Sequence, residues 1–216
     1  MTENEFLLQD RIAKIKSINE QYDLLNNSYI SFSGGKDSNV LSKLIDVALP
    51  ENNIPRVYAD TGIELTAVRD FVKEKAQTDN RIKIIKPSVS IKKMLEEYGY
   101  PFKSKRHAKN VELYQKSGMT KWVKAYLGLE TTQAGVMAYR PCPKILKYQF
   151  TEENKLKISD KCCFYLKEQP LKNWQKENNK KIAIIGLMAA EGGGELLPNA
   201  LMTLVEGNIV SNLWFH

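Results

Sequence analysis

Cysteine and histidine are scarce in this chain: three and two among 216 residues. An odd, small cysteine count argues against a disulfide scaffold and suits a reducing compartment. No apolar run approaches the ~18 residues that a membrane-spanning helix needs, so no membrane partner is expected. The opening Met1-Thr2-Glu3-Asn4-Glu5 is acidic and polar, unlike a secretion signal, and a cytoplasmic location follows as the expectation. Repeats and low-complexity linkers are missing too. What remains is ordinary globular composition, 43% hydrophobic and 26% charged, which excludes a disordered or collagen-like chain. The length suits one domain, 1–216, with a core of its own. Lys and Arg outnumber Asp and Glu 32 to 25, a balance of +7. That excess favours anionic partners without choosing among them, and a surface of solvated lysines accounts for it equally well.

Apolar spacing then divides the chain. Residues 6–25 repeat Leu8, Ile12, Ile15, Ile18 and Tyr22 at helical intervals. Tyr29 to Ser33, with Ser31 inside it, reads as a short strand, and Val40, Leu41, Leu44, Ile45 and Ala48 form the next helical face up to Pro50. Arg56–Asp60 is a second strand, 64–75 a helix, and Arg81–Lys86 a third strand closed by Pro87. Successive β–α units predict an α/β, doubly wound, mostly parallel sheet. Residues 90–177 read as a basic helical insertion, and Lys181–Met188 as a return to a buried strand.

The most informative stretch is Ser33-Gly34-Gly35-Lys36-Asp37-Ser38, between a strand and a helix. Such a turn offers free backbone N–H groups and the positive end of a helix dipole, and glycines let a phosphate come close. Lys36 supplies positive charge. Asp37 suits an anion site only with Mg²⁺ between it and the phosphates. The plain alternative is a Gly-Gly turn with a polar helix cap.

This loop resembles the Ser-Gly-Gly-x-Asp-Ser of the PP-loop superfamily, which includes ATP pyrophosphatases and phosphoadenosine phosphosulfate reductases. Asp60-Thr61-Gly62 resembles the family's Asp-Thr-Gly segment that lines the nucleotide pocket. Lys161-Cys162-Cys163 followed by Lys167, Pro170 and Leu171 is similar to a segment of adenylylsulfate reductases. Gly186–Glu191 resembles the late strand Gly-x-Arg-x-x-Glu. The resemblance implies an adenine nucleotide alpha hydrolase-like fold that binds ATP or phosphoadenylylsulfate. By resemblance the binding residues are Ser31, Ser33, Gly34, Gly35, Lys36, Asp37, Ser38, Asp60, Thr61 and Gly62. Ser104 and Lys105 join them as the family's Ser-Lys element, and Lys36, Asp37 and Glu191 carry the catalysis, with Mg²⁺ on Asp37.

Two departures fall on the substrate side. The reductases' Glu-Cys-Gly segment has no counterpart after Cys163, and Met188 replaces the late-strand arginine. The first favours pyrophosphatase-type adenylation of an acceptor, including RNA or DNA; the family name favours reduction of a sulfonucleotide. The cysteines leave three readings open. Cys142, Cys162 and Cys163 are enough for a [4Fe–4S] cluster with one open iron, the three with His107 are enough for zinc, or the thiols simply pack.

The stretch Tyr98–Lys109 mixes cations with aromatics. It reads as a lid over a nucleotide, as a track for an RNA or DNA backbone, or as an exposed basic helix start. Trp122, Tyr126, Tyr165 and Trp174 are expected to pack the insertion. A non-catalytic nucleotide- or nucleic-acid-binding subunit is the rival reading from another class, and both a homodimer and a subunit of a larger complex fit the sequence.

Overall fold

The computed structural model describes residues 2–131 and 141–187, together with the backbone of Met202–Val205 and Asn208–Asn212. The chain divides into two compact units, one of Met1–Pro87 with Gln169–His216 and one of Ser88–Glu168.

The first unit is built on a sheet of six strands in the order β3-β2-β1-β4-β6-β5. These are β1 (Ser28–Ser31), β2 (Arg56–Ala59), β3 (Ile82–Ile85), β4 (Ile182–Leu187), β5 (Met202–Val205) and β6 (Asn208–Asn212). Every pairing is parallel except β5 with β6, which is antiparallel. The fold is therefore α/β, doubly wound and mostly parallel, as its alternating pattern predicts. Helices α1 (Glu3–Tyr22), α2 (Leu24–Asn27), α3 (Lys36–Ala48) and α4 (Thr66–Thr78) belong to this unit.

Alternation along the strands decides which face each residue fills. Ile30, Ile182 and Ile184 pack with Ile15 and Ile18 of α1 and Leu41 and Ile45 of α3. Their neighbours Tyr29, Val57 and Ala183 turn to the other face, against Leu171 and Trp174. Those two lie on α8 (Gln169–Glu177), and the Tyr29 and Trp174 rings meet edge to face at 5.4 Å. The expectation that Trp174 packs the insertion is thus corrected: a two-faced sheet needs a helix on its second face, and α8 supplies it. Helix α1 begins on a capping box, with the Thr2 hydroxyl accepting from the Glu5 amide at 3.3 Å and the Glu5 carboxylate from the Thr2 amide at 2.8 Å.

The second unit is helical, with α5 (Ile91–Tyr98), α6 (Lys105–Ser117) and α7 (Lys121–Leu127), then a 3-10 turn at Lys144–Phe150 and a π turn at Phe164–Glu168. Ser90, Ser104 and Thr120 cap α5, α6 and α7. Its core gathers Ala108, Val111, Val123, Tyr126, Leu127, Cys142, Phe150 and Ile158. His107 is fully buried among them. Tyr126 donates its hydroxyl to Nδ1 at 2.9 Å, and Nε2 donates to the Gln149 side-chain oxygen Oε1 at 2.7 Å. Among the described residues no helix is long and apolar enough to cross a membrane.

Candidate functional site

The sheet reverses its winding between β1 and β4, which pair in parallel with β2 and β6 on their outer sides. Ligands of such sheets bind beyond the strands' carboxyl ends at that reversal. The Ser33–Ser38 loop leaves β1 there.

Gly34 takes φ +73°, and a Cβ on it would stand 2.6 Å from Cγ2 of Val72 on α4. Only glycine meets both demands. Gly35 caps α3 with extended backbone and no side-chain bond. The loop's polar groups then close on themselves. The Gly35 amide donates to Ser33 Oγ at 3.3 Å, Ser33 donates to Ser38 Oγ at 3.1 Å, and Ser38 donates back to the Gly35 carbonyl at 3.0 Å. Asn39 adds a second fastening, its Nδ2 donating to the carbonyls of Gly34 at 3.0 Å and Gly35 at 2.9 Å. Lys75 Nζ in turn donates to Asn39 Oδ1 at 2.8 Å while lying over the rings of Phe32 and Phe71. The carbonyls are tied to the protein. The amides of Lys36, Asp37 and Ser38, first in the helix, have no intrahelical acceptor by position. Such an arrangement is suited to receive an anion. Asn39 and Lys75 escape a sequence reading because nothing local marks them: one is a polar residue after the motif, the other lies 36 residues away.

Gly186 on β4 brings the neighbouring strand against this turn. A Cβ there would lie 3.3 Å from the Asp37 carbonyl oxygen. Asp37 itself is half-buried and Lys36 exposed.

The pairing of Ser31 with Val57 sets the end of β2 level with the loop. There Thr61, buried, donates its hydroxyl to Glu64 at 2.7 Å and its amide to the same carboxylate at 3.2 Å. The Gly62 amide, at φ +80°, donates to Asp60 at 3.3 Å. Tyr58 is buried with its hydroxyl unpartnered among the described residues. Burial first, then the charges of Glu64 and Asp60, push its phenol above the ordinary value.

A family model for the phosphoadenosine phosphosulfate reductase domain matches residues 27–136. The chain belongs to the phosphoadenosine phosphosulfate reductase domain family. An uncharacterized protein of Methanocaldococcus jannaschii is 30% identical over 112 residues, 48% of this chain. The match spans only 27% of that relative's length. Among solved structures, the phosphoadenylyl-sulfate (PAPS) reductase of Candida auris, in a phosphate complex, aligns over 92% of this chain and 70% of its own, at 15% identity and a TM-score of 0.45.

The other residues singled out by likeness to this reductase family are placed less simply. In the second unit Ser104 caps α6, accepting from the His107 amide at 3.2 Å. Exposed Lys105 stands 4.0 Å from Glu168. Glu191 and Met188 lie outside the described residues. The cysteines do not fit a metal centre. Cys142 is buried in the second unit's core with its thiol toward the Pro143 carbonyl at 3.5 Å. Burial pushes that thiol up, and burial followed by Cys163 does the same to Cys162. Among the described residues no three His, Cys, Asp or Glu side chains gather to hold a metal. Zinc on His107 is corrected for a further reason: both ring nitrogens are already engaged.

Proposed function

We propose that this chain is an adenine-nucleotide enzyme of the phosphoadenosine phosphosulfate reductase family, binding the anionic end of phosphoadenylylsulfate on the Ser33–Ser38 loop and acting in sulfur transfer or reduction. The observation that carries this reading is the loop itself. Its carbonyls are held back by Asn39 and Ser38, and its amides stand at the positive end of α3. Lys36 adds the charge that neutralises a phosphate or sulfate. Glu191 is kept as a catalytic residue on resemblance alone. Positioning and charge neutralisation then supply most of the catalysis, as in phosphoryl-type transfers.

One observation favours a second reading, ATP-dependent adenylation of an acceptor. Asp37 lies in the first turn of α3, where a bare carboxylate would repel an anion. One carboxylate plus substrate phosphates is a usual way to hold Mg²⁺, and Asp37 fits that role. The ion would lower the charge on a pyrophosphate leaving group.

A thermal-melt series tests both. At a hundred times its dissociation constant a ligand adds about 2.7 kcal/mol, a shift of a few degrees for a chain of this size. Phosphoadenylylsulfate is expected to raise the melt without added metal. A rise with ATP and Mg²⁺ alone, abolished in Asp37→Ala, would move the second reading forward. No shift with any adenine nucleotide would overturn both.

A further inference from the structure

The positive excess of the chain is confined to one unit. Residues 88–168 hold sixteen Lys and Arg against eight Asp and Glu, a balance of +8. The rest of the chain holds sixteen against seventeen, a balance of −1. The nucleotide loop therefore lies in the nearly neutral part.

The basic unit also carries a cavity of about 690 Å³ walled by α6 and α7. Arg106, Lys109, Lys116 and Lys161 line it, against Glu112 and Asp160. Lys116 pairs with Glu112 at 2.5 Å and Lys161 stands 4.0 Å from Asp160. Lys109 has no acidic partner among the described residues, and the Arg106 guanidinium lies 5.4 Å from the centre of the Tyr126 ring. Trp122 completes the wall. It is 56% exposed, although Val123, Ala125, Tyr126 and Leu127 of the same short helix are all buried. The expectation that Trp122 packs the insertion is corrected: α7 buries its other apolar side chains and turns its largest one outward. The exposed indole lines the same wall as Lys109 and contributes nothing to the core.

We propose that the second unit binds single-stranded nucleic acid, with a base stacked on Trp122 and an adjoining phosphate paired to Lys109. Charge spread over a whole unit matches a polyanion rather than one small ligand. An open aromatic face matches bases that are not already stacked in a duplex. The inference does not depend on which nucleotide the Ser33–Ser38 loop takes.

The test is fluorescence anisotropy of the full chain with a labelled single strand of about a dozen thymidines or uridines. Binding is expected at low salt, with affinity falling by orders of magnitude between about 50 and 200 mM salt. Trp122→Ala is expected to weaken it about tenfold while Trp122→Phe retains most of it. Lys109→Gln is expected to weaken it and flatten the salt dependence. Both side chains are exposed, so the variants should melt with the parent. Absence of binding at low salt would overturn the proposal. So would equal affinity for heparin or a duplex with Trp122→Ala unaltered, since charge alone would then account for it. Tighter binding of an acidic peptide than of the oligonucleotide would overturn it in favour of a protein partner.

Discussion

A single carboxamide decides how the Ser33–Ser38 loop presents itself. Asn39 donates to two carbonyls and accepts from Lys75, so it fixes which side of the loop faces a ligand. Replacing it with alanine removes three hydrogen bonds at a half-buried position. A net cost to stability of about 1–2 kcal/mol is expected, since exposed partners recover water. Nucleotide affinity is expected to fall about tenfold, because the receptor must then be organised on binding. Asn39→Asp should be worse, placing acceptors against acceptors and a negative charge near the anion. Calorimetric titration with phosphoadenylylsulfate checks both, and unchanged affinity in Asn39→Ala would remove the residue from the account. Gly34 makes a separate demand. Its positive φ and the 2.6 Å approach to Val72 predict that Gly34→Ala loses about 1–3 kcal/mol. Adding Val72→Ala should relieve the clash and leave the backbone strain, so the double variant should recover the wild-type melt at most in part.

Between elements, a charged bracket ties α3, β2 and β3 together at the ends remote from the loop. Arg56, 1% exposed at the start of β2, bonds Asp46 of α3 at 2.5 Å, Ser42 at 3.2 Å and Asn52 at 2.9 Å. Arg81 joins the same Asp46 at 2.8 Å and Asp79 at 2.8 Å. Burial alone would raise the Asp46 carboxyl, but bonds from Arg81 and Asn52 and the two guanidinium charges bring it below the ordinary value. The Arg81 hydrogen bond does the same for Asp79. A carboxyl with a depressed folded pKa contributes stability that is complete above its ordinary value near 4. That contribution is lost as the pH falls through the folded value. Urea midpoints should therefore hold above about pH 5 and drop below about pH 4. Asp46→Asn leaves the Arg56 charge buried with less compensation and should cost about 3 kcal/mol at pH 7. The gap to wild type should narrow toward pH 3; a gap constant with pH would show that the contribution is not ionic.

These elements also show what a sequence makes legible. The Ser33–Ser38 loop, the parallel strands and the helices behind them follow from local spacing, because a two-residue and a 3.6-residue period leave a mark on every turn. Their ends shift by a few residues: the helix expected at 64–75 runs Thr66–Thr78, and the strand expected to reach Ser33 stops at Ser31. Nothing local announces the Asn39–Lys75 link, the outward Trp122 or the burial of His107 between Tyr126 and Gln149, since each depends on residues brought together only by the fold. The cysteines mislead for the same reason. Their number permits a cluster, but among the described residues they do not gather into a metal-holding group.

At the scale of the whole molecule, charge and chemistry are divided. A balance of −1 accompanies the sheet and its loop, and +8 accompanies the helical unit. A small anion held by backbone amides depends on geometry and tolerates a neutral surrounding. A polyanion depends on accumulated charge and on salt. The two ligand classes should accordingly leave different footprints in amide hydrogen exchange on the intact chain. Phosphoadenylylsulfate is expected to slow exchange at Lys36, Asp37 and Ser38 and around Thr61 to Glu64, with little dependence on salt. An oligonucleotide is expected to slow it along α6 and α7, with protection that fades as salt rises and is weakened by Trp122→Ala. Oligonucleotide protection centred on the Ser33–Ser38 loop would instead make that loop the receptor for a phosphate of the strand, and the division of labour between the units would fail.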